Sequence, residues 1–126
     1  MQVQVQDQVN ILLVDDQPAK LLSYEVILSE LGENLIKANS AREALEQLLK
    51  TEVAVILLDV SMPELDGWEA LKRLRELSDV PVLMFSGTKP EPEQLELLRP
   101  GRDAFREKPF FGTELVGVVD ELLDAA

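Results

Sequence analysis

At 126 residues with a formal charge of −12, the chain is sized for one domain, and its charge opposes binding to nucleic-acid phosphates or anionic membranes, although it equally serves solubility alone. The absence of cysteine and histidine excludes disulfides, thiolate metal sites, a histidine general base and a phosphohistidine carrier. No apolar run nears the roughly 20 residues that span a bilayer, and residues 1–7 lack the basic and apolar regions of a signal peptide, so a cytoplasmic protein is expected.

Residues 1–8, an alternation of Gln and Val, read either as an extension of the first strand or as a tail, and the folded domain is expected over 9–124. Val9–Val14 is near-continuously apolar, as a strand buried on both faces should be. Asp15-Asp16-Gln17-Pro18 ends it and opens a helix, Pro18 suiting the first turn. Leu21, Tyr24, Leu28 and Leu31 recur at helical spacing until Gly32 supplies a stop. A short strand over Leu35–Ala38 follows. Ser40 and Glu43 then form a capping box for a helix whose inward face is Ala44, Leu45, Leu48 and Leu49.

Val53–Leu58 is the most apolar strand and runs into Asp59. After the Met62-Pro63 turn, Gly67–Leu77 is expected to be helical with Leu71, Leu74 and Leu77 inward, and Val80–Phe85 is a fourth strand ending at Ser86-Gly87. A fourth helix is placed from about Glu91 to Arg99, hemmed in by Pro90, Pro92 and Pro100. Asp103–Glu107 is a fifth strand, and Thr113–Leu123 a last helix with Leu115, Val118, Val119 and Leu122 as its stripe. Gly117 weakens that helix by about 1 kcal/mol relative to Ala. Alternating strands and helices with short connections argue for an α/β fold, a doubly wound parallel sheet covered on both faces.

The polar residues then fall in a telling pattern. Asp15 and Asp16 follow the first strand, Asp59 ends the third, Ser86 ends the fourth and Lys108 follows the fifth. Strand ends of a parallel sheet share one edge, and open α/β sheets bind ligands outside it. Each residue taken singly is as well explained as a helix cap or turn former; their joint placement is not. Three crowded carboxylates call for a cation, and an all-oxygen donor set suits Mg²⁺, with Mn²⁺ as a substitute. A carboxylate can act as a nucleophile toward phosphorus. Lys108 then offers a cation, Ser86 a hydroxyl, and the backbone near Val60 and Gly87 amide donors for phosphoryl oxygens.

Four segments carry a resemblance: Leu12-Leu13-Val14-Asp15-Asp16, the run from Leu57 to Gly67 with its Asp59, Met62-Pro63 and Asp66-Gly67, then Phe85-Ser86-Gly87, and Lys108-Pro109-Phe110. In these the chain resembles the receiver domain of two-component response regulators, over nearly its whole length. The resemblance implies a flavodoxin-like sheet of order 2-1-3-4-5, with Asp59 as the phosphorylated residue. It implies Mg²⁺ held by the carboxylates of Asp16 and Asp59 and the backbone carbonyl of Ser61, with Asp15 acting mainly through water. Ser86 would contact the phosphoryl group, Lys108 would pair with it or with Asp59 beforehand, and the Lys108–Pro109 bond would be cis.

Phe105 stands in the fifth strand where the family's switch aromatic, functionally paired with the residue at Ser86, lies; without a hydroxyl it would switch through ring packing, or simply fill the core. The implied partners are a sensor histidine kinase or histidine phosphotransfer protein and a downstream protein, with a homodimer left open. The implied chemistry is self-catalysed phosphoryl acceptance and slow autodephosphorylation, not turnover of a substrate. Two other readings stand beside it: an interaction module that keeps the fold without the chemistry, and an aspartate-nucleophile phosphatase. The phosphatase needs an Asp where Ser61 stands. Pro90, Pro92, Pro100 and Arg102 depart from the family's usual pattern, and Ser61 and Thr88 occupy places where relatives tune hydrolysis. Trp68, near the site, either packs or reports on metal binding.

Overall fold

The computed structural model describes residues 8–60, 67–109 and 111–125. In chain order its elements are β1 (Asn10–Val14), α1 (Pro18–Leu28), β2 (Asn34–Ala38), α2 (Ala41–Lys50), β3 (Val55–Asp59), α3 (Gly67–Leu77), β4 (Val82–Ser86), α4 (Pro92–Leu95), β5 (Ala104–Glu107) and α5 (Gly112–Ala125). The strands form one parallel sheet of order β2-β1-β3-β4-β5. This is the doubly wound architecture expected from the alternating pattern.

Period-two alternation sorts the strand side chains onto two faces. Leu12, Val14, Ile56, Leu58, Val82 and Met84 pack with Ala44 of α2 and Trp68, Leu71 and Leu74 of α3. Ile11, Leu13, Val55, Leu57, Leu83 and Phe85 pack with Leu21, Tyr24 and Leu28 of α1 and Leu115, Val118, Val119 and Leu122 of α5. Both faces of β3 and β4 are buried along their full length, which is why those segments carry no polar residue before their last position.

Helix ends follow the local chemistry with adjustments. Ser40 Oγ accepts from the Glu43 amide, while the Glu43 carboxylate reaches back one residue further than a capping box requires, to the amide of Asn39 at 2.7 Å. α1 ends at Leu28, and Ser29–Leu31 tightens into a 3₁₀ turn that stops at Gly32, whose φ of 72° is left-handed.

Three expectations need correction. The fourth helix does not reach Arg99. Only Pro92–Leu95 is helical; the Leu97 and Leu98 amides then bond three residues back in tight turns. Pro100 disfavours helical backbone at Arg99, which closes the segment from its other end. Leu49 is 73% exposed, because it lies about 140° around the helix from Ala44 while Leu45 and Leu48 face the core. Leu77 is half-exposed at the last turn of α3, where it lines a surface depression with Leu45, Arg73 and Glu76.

Asp103, just ahead of β5, is a fastening point. Its fully buried carboxylate accepts from the side chains of Arg75 and Arg99 and from the amides of Val82 and Arg99, joining α3, β4 and the approach to β5. Burial alone would raise the Asp103 carboxyl, but these hydrogen bonds outweigh it and hold it down at about 2. Arg102 donates to the carbonyl of Asp79 on the same side.

Candidate functional site at the carboxyl edge of the sheet

Because the strands run in parallel, the ends of β1, β3, β4 and β5 open onto one rim. Register places Val14 beside Leu58, Asp59 beside Phe85 and Ser86 beside Glu107. Asp15, Asp59 and Ser86 are the buried polar residues of the described core, and all three stand at this rim. Burying such groups is costly unless they are paired, so their partners define the site.

Asp59 is fully buried, and its Oδ2 accepts from Lys108 Nζ at 2.9 Å, a pairing of residues 49 apart in sequence. The same oxygen lies 3.7 Å from the ammonium of Lys20, in the first turn of α1. Lys108 also sits over the ring of Phe85, 5.5 Å from its centroid, which steers the ammonium toward the rim. The Lys108–Pro109 bond is cis, as the resemblance implies, and the Lys108 amide donates to the carbonyl of Ser86 at 2.7 Å.

Asp15 is held from two sides. The Gln17 amide donates to its Oδ1 and the Tyr24 hydroxyl to its Oδ2, each at 3.0 Å. Burial raises its carboxyl to about 6; the Gln17 amide and Tyr24 hydroxyl oppose that rise and the neighbouring Asp59 adds to it. Tyr24 is in turn held well above its ordinary value, by burial first and then by the charge of Asp15. Its ring meets that of Phe85 edge-on, 5.3 Å between centroids.

The remaining expected residues fall as follows. Asp16 Oδ1 is buried with no hydrogen-bond partner among the described residues. Ser86 is buried, and its Oγ accepts from the Thr88 amide at 3.1 Å and lies 3.2 Å from Thr88 Oγ1. The space beside Gly87 is open. Ser61 and the rest of 61–66 lie outside the described residues, as does Phe110. The amide of Val60 departs from expectation: it donates to the Phe85 carbonyl at 2.9 Å and is engaged in joining β3 to β4. Phe105 is half-buried and stacks on Trp68, 6.2 Å between centroids and 20° between planes.

Among the described residues, no three acidic side chains stand as a group able to hold a metal ion, although the carboxyls of Asp15 and Asp59 interact with each other by charge and hydrogen bond. Asp59 takes its counter-charge from two lysines. An oxygen-seeking cation nonetheless fits the donors present. The orphaned Oδ1 of Asp16 adjoins Asp15 in a setting without nitrogen or sulfur ligands, and a buried oxygen without a partner is costly unless something supplies positive charge.

Two residues at the rim were not singled out for the site by motif. Tyr24 belongs to the core stripe of α1, and a hydroxyl within a stripe otherwise made of leucine is the signal of a buried hydrogen-bond partner. Lys20 is a cation in the first turn of a helix, where the macrodipole disfavours it, and such a misplaced charge signals an anion nearby.

Comparison with known proteins supplies the family. Residues 11–120 match the response regulator receiver domain. The chain belongs to that family. Receiver domains are signalling modules of two-component systems. The transcriptional regulatory protein CpxR of Escherichia coli is 35% identical over 113 residues, 90% of this chain and 48% of its own. The sensor kinase/phosphatase LuxN of Vibrio campbellii is 35% identical over 100 residues, 79% of this chain but only 12% of its own. The chain thus spans about half the length, or less, of these curated relatives. Among solved structures, a CheY-like receiver domain protein from Methanospirillum hungatei superposes with a TM-score of 0.82 at 27% identity, over 94% of this chain and 95% of that one. Among the described residues of this receiver domain, no helix is long and apolar enough to cross a membrane.

Proposed function

We propose that this receiver domain accepts a phosphoryl group on Asp59 from a sensor histidine kinase or a histidine phosphotransfer protein, in a reaction that depends on Mg²⁺. The observation that carries this reading is the 2.9 Å contact between Lys108 Nζ and the fully buried carboxylate of Asp59. A buried carboxylate paired with an ammonium at the mouth of an α/β sheet is well placed to act as a nucleophile.

In the step itself, a carboxylate oxygen of Asp59 forms a bond to phosphorus as the phosphorus–nitrogen bond of the donor phosphohistidine breaks. The bonding pair leaves with the imidazole, which takes its proton from solvent. Lys108, already at Oδ2, then has phosphoryl oxygens within its reach. Ser86 exchanges its bond with Thr88 for one to the phosphoryl group, and backbone amides near Gly87 add further donors. Asp16 and Asp59, with Asp15 through water and the backbone carbonyl of Ser61, would hold the Mg²⁺. The ion supplies positive charge against the phosphoryl oxygens.

The output is a shift of population between two conformations. Movement of Ser86 toward the phosphoryl group alters the packing of Phe105 against Trp68 and so the face formed around α4, β5 and α5. A protein partner reads that face in the cytoplasm, with no direct part for nucleic acid.

Incubation with acetyl phosphate and Mg²⁺ tests the proposal. Intact mass should rise by one phosphoryl group, and Asp59→Asn should abolish the gain. An unchanged mass would favour the module that keeps the fold without the chemistry.

A further inference from the structure

Lys20 takes no part in the proposed phosphoryl step, yet its ammonium stands 3.7 Å from Oδ2 of Asp59, the oxygen that also accepts from Lys108. The two cations differ in kind. Lys108 makes a hydrogen bond and is steered by the Phe85 ring; its side chain is 28% exposed. Lys20 is beyond hydrogen-bond length, is 38% exposed, and hangs from the first turn of α1 on a flexible stem. It is a displaceable charge, and among the described residues its ion-pair partner is Asp59.

Position explains what that charge does. α1 begins at Pro18, two residues after Asp16, so Lys20 belongs to the same short segment as Asp16 and as Asp15, whose carboxyl interacts with that of Asp59. A divalent ion shared by these carboxylates must come close to the Lys20 ammonium, and two cations at one carboxylate repel. We infer that Lys20 is a resident counter-charge at the acceptor. It neutralises Asp59 in the ion-free domain and must swing out as the ion enters, which sets the ion affinity of the site. This inference rests on the reading of the rim as a Mg²⁺-dependent acceptor site.

The test is binding of Mn²⁺, followed by the electron paramagnetic resonance signal of the free ion, with Mg²⁺ as competitor. Lys20→Met keeps the length of the stem and removes the charge. It should bind Mn²⁺ roughly three- to tenfold more tightly than the parent, a gain limited because the exposed ammonium can move away. Lys20→Arg, which keeps the charge, should bind like the parent. Equal or weaker binding by Lys20→Met, or tighter binding by Lys20→Arg as well, overturns the inference while leaving the metal site intact. Failure of every variant and of the parent to bind the ion overturns the acceptor-site reading and the inference with it.

Discussion

The hydroxyl of Tyr24 donates to Oδ2 of Asp15 across 3.0 Å, inside the protein, while the Gln17 amide holds the other oxygen of the same carboxylate. Tyr24 lies nine positions after Asp15, the distance from the end of β1 to the middle of α1. The bond orients an acidic side chain at the rim from beneath, and the edge-on contact with Phe85 fixes the donor in turn.

Tyr24→Phe keeps that ring contact and deletes the donor. A buried acceptor deprived of a partner costs roughly 1–3 kcal/mol, so urea denaturation should show a loss in that range near neutral pH. The raised carboxyl of Asp15, at about 6, dictates how the loss varies with pH. The hydroxyl supports the charged form, so the loss should shrink as the pH falls below that value and the carboxylate takes up its proton. A loss independent of pH would mean that Tyr24 contributes packing alone.

Asp103 makes the opposite prediction. Its folded value of about 2 lies below the ordinary 3.8, so its contribution to stability is full above the ordinary value. That contribution disappears as the pH falls through the folded one. The difference corresponds to about 2 kcal/mol. Asp103→Asn should lower stability at neutral pH by a similar amount and flatten the acid limb of the stability curve between about pH 4 and 2. Urea midpoints across that range check both.

Gly67 opens α3 against the end of β3. A Cβ there would lie 2.5 Å from the Cα of Val60 and 2.8 Å from the carbonyl oxygen of Asp59, both backbone atoms that cannot rotate aside. The Gly67 amide also donates to the Val60 carbonyl at 2.7 Å. Gly67→Ala should therefore destabilise by roughly 1–3 kcal/mol and slow phosphorylation of Asp59, because the strand end that carries the acceptor must move. Thermal melting and the rate of mass gain with acetyl phosphate measure the two effects.

Trp68 and Phe105 give an optical handle on switching. Trp68 is 6% exposed and stacked on Phe105. Addition of a beryllium fluoride mimic with Mg²⁺ should change Trp68 emission as Phe105 repacks, and Phe105→Leu should reduce that change several-fold. A response unaltered in Phe105→Leu would place the coupling elsewhere.

Local chemistry explains which parts of this receiver domain could be read from the chain itself. The doubly apolar runs of β3 and β4 announce strands buried on both faces, and Gly32 and Ser40 mark helix ends through their own backbone and side-chain preferences. Asp15, Asp59, Ser86 and Lys108 share a rim because parallel strands share an end, so their convergence follows from connectivity. α4 is shorter than the span from Glu91 to Arg99 because Pro100 acts on that segment from its far end.

What depended on packing was anything that crosses between elements. Leu49 and Leu45 are alike as residues, and only the seating of α2 on the sheet exposes one and covers the other. The Tyr24 hydroxyl, the Lys20 ammonium and the four-donor clasp on Asp103 each join groups whose distances no local preference determines. Sequence by itself determined the strands, the turns and the set of polar groups delivered to one edge, since these rest on short-range backbone and side-chain preferences. The tertiary structure alone decided which of those groups touch, because a contact a few ångströms long depends on how whole helices settle against the sheet.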